Sequence, residues 1–74
     1  MNTYILIIAM SFGGLGMDIE VHDRTFTTEA ACKEAAVEVG MRETATINRL
    51  LDQGLLTEFD GMKLSCNRVP QGGE

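Results

Sequence analysis

The sequence predicts an α+β fold, a small antiparallel β-sheet with one or two helices packed on one face, in the order ββααββ. Three observations carry the prediction. Residues 4–10, YILIIAM, are uncharged and rich in β-prone types. Residues 28–53 place Ala, Cys, Val, Ile and Leu at helical spacing. Asp60-Gly61 lies between β-prone flanks, a strong short-range hairpin signal.

The first segment has three readings: an export signal, a membrane segment or a core strand. A signal peptide has a positive leading region, and no Lys or Arg precedes Arg24. The apolar run of about twelve residues, interrupted by Ser11, Gly13 and Gly14, falls short of the ~20 that a transmembrane helix needs. As a strand it is apolar on both sides, with Tyr4, Leu6, Ile8, Met10 and Phe12 on one and Ile5, Ile7 and Ala9 on the other. That suits a central strand, flanked on both edges and covered on one face.

Gly13, Gly14 and Gly16 mark a turn. In residues 17–22, Met17, Ile19 and Val21 alternate with Asp18, Glu20 and His22, which predicts a half-exposed strand forming a hairpin with the first. A Thr of Thr27-Thr28 is the expected N-cap of a helix, with Phe26 tucked beneath its first turn and Glu29 at its positive end. Gly40 is placed to stop this helix. A second helix follows over 42–53, with Ile47, Leu50 and Leu51 inward and Gly54 at its end. Around Asp60-Gly61, Phe59 would oppose Met62, and Glu58 would oppose Lys63 as a cross-strand ion pair. Residues 1–70 make one domain, and 71–74 a flexible tail.

The chain has 74 residues, is 45% hydrophobic and carries a formal charge of −5. A domain this small is marginal alone, so a disulfide, a second copy or a binding target would help it. Six Lys and Arg in all, scattered rather than clustered, disfavour direct nucleic-acid binding and an anionic membrane. The acidity mildly favours a basic protein partner. Cys32 and Cys66 could meet if the helix covers the face that carries Met62 and Leu64. Two buried thiols or a disulfide both fit, the former suiting a reducing compartment. Two Cys and a single His give no metal set. No nucleophile–base constellation surrounds His22, and the glycines match no phosphate-binding loop, so no enzyme, cofactor or metal is expected. The candidate partner contacts are the acidic residues expected to be exposed: Asp18, Glu20, Glu58 and Asp60.

Two resemblances add to this. The apolar first strand, the Gly-rich turn, Phe26-Thr27 followed by Cys32 and Ala35, and Cys66 before Pro70 resemble a loose group of small accessory proteins from tailed phages and prophages. The residues from Arg42 to Leu56 depart from that group's pattern. The resemblance implies origin and architecture, and the group shares no assigned activity; phage accessory proteins of this size often bind and block a host protein, including defence systems, as an anti-CRISPR does. With the acidity, the expected partner is a host protein, basic or nucleic-acid-binding, and with no convincing export signal the expected place is the cytoplasm of the bacterial host. Residues 34–66, with Gly40, Thr44 to Leu51 and a Gly-turned hairpin, more weakly resemble a winged helix-turn-helix. The Gly40–Ile47 spacing is one residue too long for that family, and Glu58 and Asp60 stand where a wing would carry Lys or Arg. Three functions follow: a non-enzymatic protein-binding inhibitor, which leads; a winged-helix-like DNA-binding regulator; and a small exported protein stapled by a disulfide.

Overall fold

A computed structural model describes residues 2–70. The fold is α+β: a three-stranded antiparallel sheet in the order β2-β1-β3, with one long helix on one face. The strands are β1 (Asn2–Ser11), β2 (Met17–Phe26) and β3 (Gly61–Pro70), and the helix is α1 (Glu29–Asp52). The observed order is ββαβ, not ββααββ. The expected tail at 71–74 lies outside the described residues.

The uncharged first segment is the central strand. β1 pairs with β2 through a short 3-10 turn at Gly13–Leu15, where Gly13 takes a φ of 60° and Gly16 a φ of 105°. It pairs with β3 along its whole length, from Asn2↔Pro70 to Ser11↔Gly61. Leu6, Ile8 and Met10 point beneath α1 and are buried with Phe26, Cys32, Val39 and Ile47.

α1 starts as its sequence dictates. Thr28 is extended, and its Oγ1 accepts a hydrogen bond from the Ala31 N–H at 3.1 Å. Phe26 is buried just ahead of it. The expected break at Gly40 is absent, and the two predicted helices are one. The buried residues explain why: Cys32, Val39 and Ile47 are spaced by seven and eight, which is one stripe of a continuous helix. An interior Gly costs only about 1 kcal/mol, less than burying that stripe returns. Gly54, at φ 73°, does end the helix, and the Leu55 N–H closes onto the Leu50 carbonyl at 3.0 Å.

The hairpin expected at Asp60-Gly61 is also absent. Residues 55–60 are irregular, and β3 pairs with β1 instead. Phe59 does not oppose Met62 on a strand; its ring packs on Phe12, with centroids 5.7 Å apart. Glu58 likewise has no strand position opposite Lys63, which pairs with Ala9. A full-length ladder along an apolar central strand outweighs a local turn preference.

Candidate functional site

The two faces of the sheet differ in what covers them. Residues directly opposite in an antiparallel ladder share a face. On the side away from α1, Ile7 pairs with Val21, Ala9 with Ile19 and Ser11 with Met17. Among the described residues nothing packs on this side: Met17 is 68% exposed, Ile19 64% and Val21 61%. Ile5, Ile7 and Ala9 beside them are half-buried only through their strand neighbours. The β3 positions of the same face are polar, with Lys63, Ser65 and Asn67 opposite Ala9, Ile7 and Ile5. The result is an apolar patch centred on β1 and β2. The paired positions on this face carry no carboxylate.

The acidic residues lie elsewhere. Asp18 pairs with Met10 and Glu20 with Ile8, so both project on the helix side of β2. Both remain exposed, because α1 does not shield this edge. The Asp18 carboxylate, by hydrogen bond and by charge, raises the Glu20 pKa above its ordinary value, and Glu43 on α1 adds to this. Glu58 folds against the turn, where a side chain on Gly13 would come within 2.9 Å of its Oε2. The Asp60 N–H donates to the Ser11 carbonyl at 2.8 Å. All four therefore gather toward the hairpin end of the sheet, and none lies among the paired positions of the uncovered face. At the opposite end the Arg24 guanidinium sits 5.6 Å from the centre of the Phe26 ring, with Glu34 and Glu38 of α1 nearby, and Arg68 pairs with Tyr4.

Cys32 and Cys66 are joined by a disulfide, with Cα atoms 6.1 Å apart. The bond fastens the start of α1 to β3. His22 Nδ1 accepts a hydrogen bond from the Arg24 N–H at 3.1 Å, and its ring lies beside Phe26. In that tautomer its 3.5 Å approach to Asp23 is not an ion pair. Among the described residues no three His, Cys, Asp or Glu converge as a metal site. No described helix is long and apolar enough to cross a membrane.

A second surface runs along the outer side of β3. It is an open groove of about 610 Å³ between α1 and that strand. Ala36, Gly40 and Thr44 form its floor on the helix, with Val37 and Met41 beside them and Met62 and Leu64 opposite. Val37 is 62% exposed and Met41 69%. Sequence reasoning passed over the groove and found the β2 face only in part. Alternation marks Met17, Ile19 and Val21 as a face, yet does not say whether that face is covered. Comparison with protein-family models, curated proteins and solved structures found no match.

Proposed function

We propose that this chain is a non-enzymatic binding protein that docks a protein partner on the uncovered face of its sheet. The observation that carries the reading is the exposure of Met17, Ile19 and Val21 next to Ile5, Ile7 and Ala9. A contiguous apolar patch on β1 and β2, flanked by the polar β3 positions Lys63, Ser65 and Asn67, has the composition of an interface core with a polar rim. The carboxylates of Asp18, Glu20, Glu58 and Asp60, on the helix side and at the hairpin end of the sheet, favour a basic partner for the domain as a whole, while the apolar face supplies the contact. The resemblance to phage accessory proteins supports a host protein as that partner, with inhibition of a host or defence function as the outcome; the Cys32–Cys66 bond weighs against the bacterial cytoplasm expected from the sequence and suits an oxidising compartment.

The test is co-purification on a tagged chain at low salt, comparing the native sequence with Ile19→Asp. The expected result is a stoichiometric protein partner that the variant loses while its far-UV circular dichroism is unchanged. A partner held equally by Ile19→Asp removes this face from the reading. Enrichment of nucleic acid in place of protein overturns the reading in favour of a DNA-binding regulator.

A further inference from the structure

We infer that a second copy of this chain docks along β3, so that two sheets join edge to edge and the two α1 helices lie side by side over the junction. This uses residues other than those of the uncovered face.

Edge selection comes first. β2 and β3 are both edge strands, and each has backbone groups on its outer side that can pair with another chain. The β2 ladder is interrupted between Ile5 and Ile7, and its outer strand carries Asp18, Glu20 and Asp23. An irregular edge rich in like charge resists pairing with its own copy. β3 is regular over its ladder with β1 and carries no carboxylate. The apolar groove runs alongside this same edge, bounded by Met62 and Leu64 on β3 and by Val37 and Met41 on α1. A strand added to β3 would bring its own helix over that groove, where Ala36, Gly40 and Thr44 permit close approach.

Charge then selects the occupant. In an antiparallel β3–β3 pairing centred on Leu64, continuing the ladder one residue past Gly61 sets Asp60 opposite the partner's Arg68, twice by symmetry. Met62 falls opposite the partner's Cys66 and Lys63 opposite the partner's Ser65, so no like charges meet. Centring on Ser65 instead moves Arg68 opposite the partner's Met62 and loses both ion pairs. Asp60 and Arg68, at the two ends of the paired stretch, thus complement those of an inverted copy.

The area is that of a weak, concentration-dependent dimer. Nine paired residues span about 30 Å. Taken over a molecular depth of 15 to 22 Å, that overlap corresponds to roughly 900–1,300 Å² in total, about the ~1,000 Å² that a specific interface needs.

Light scattering after size exclusion, on the full oxidised chain over a range of concentrations, tests the assignment. The expected result is a dimer. Asp60→Arg and Arg68→Asp should each weaken it about tenfold or more, because opposite charges become like charges at two symmetric sites. The double variant should restore it. Met41→Glu, at an exposed helix position, should also weaken it, whereas Ile19→Asp should leave it intact. A chain that stays monomeric throughout overturns the inference. So does a double variant no tighter than the single ones, or a dimer lost in Ile19→Asp and kept in Met41→Glu. Partner capture, by contrast, responds to Ile19→Asp, so the two proposals fail separately.

Discussion

The two sides of β1 are nearly equal in sequence and unequal in structure. Leu6, Ile8 and Met10 lie under α1 and are at most 6% exposed. Ile5, Ile7 and Ala9 on the other side are only half-buried, and their β2 neighbours Met17, Ile19 and Val21 are open to solvent. Burying one such side chain stabilises by about 1.5–3 kcal/mol, so the uncovered side holds a comparable reserve of unused apolar surface. One face stabilises the fold, and the other is available to a partner. The difference follows from helix count. One helix can cover one face, and α1 leans toward β1 and β3, leaving Met17 to Val21 of β2 exposed on both sides while Phe26 at its far end is buried.

The largest expected effect comes from the bond that fastens the covered face. The disulfide joins residues 34 apart, and by loop entropy its removal should cost about 4 kcal/mol. Urea unfolding of the native chain with and without reductant, and of the Cys32→Ser/Cys66→Ser variant, measures this. A midpoint unchanged by reduction would mean that packing alone holds α1 down and that the covered face is stronger than inferred.

Next in size is a direct contrast between neighbours. Leu6→Ala should destabilise by about 3 kcal/mol, because it opens a cavity beneath α1. Ile7→Ala, one residue on and facing the other way, should cost under about 1 kcal/mol in the monomer, and Ile19→Thr within about 0.5 kcal/mol. Equal losses at Leu6 and Ile7 in the isolated chain would show that the second face is covered in solution, and the contrast would collapse.

Much of the fold is legible in the sequence where local chemistry and tertiary packing agree. The central strand, the glycine turn, the Thr28 cap and the Gly54 stop all follow from nearby residues. Two features are not legible because a distant contact overrides a local signal. Gly40 resembles a helix stop but lies within one continuous stripe running from Cys32 to Ile47. Asp60-Gly61 resembles a hairpin turn, yet β1 offers β3 a longer ladder than residues 55–59 could. The candidate surfaces were half legible. Alternation identifies the apolar set of β2, and the acidic residues are plain, but alternation cannot say which set faces the helix. It is the acidic set that does, because β2 leaves the turn in register with Met10 and Ile8.

That placement yields the smallest effect and shows where the covered face ends. Glu20 lies opposite Ile8 on the helix side, but α1 does not reach it, and its charge meets Asp18 and Glu43 instead. Its pKa is raised in the folded chain above the ordinary 4.5. The folded state therefore binds the proton more tightly than the unfolded state, so the stability linked to that proton is present below the ordinary value and is lost as pH rises through the raised one. At neutral pH the ionised Glu20 works against the fold. Glu20→Gln should raise the melting temperature slightly at neutral pH and low salt, with the gain shrinking in high salt and vanishing near about pH 4, where both forms are largely uncharged. Melting curves of the two proteins at both pH values and both salt levels measure it. A loss of stability in Glu20→Gln at neutral pH would mean that the carboxylate has a favourable partner, and that the helix-side surface of β2 is better shielded than its exposure indicates.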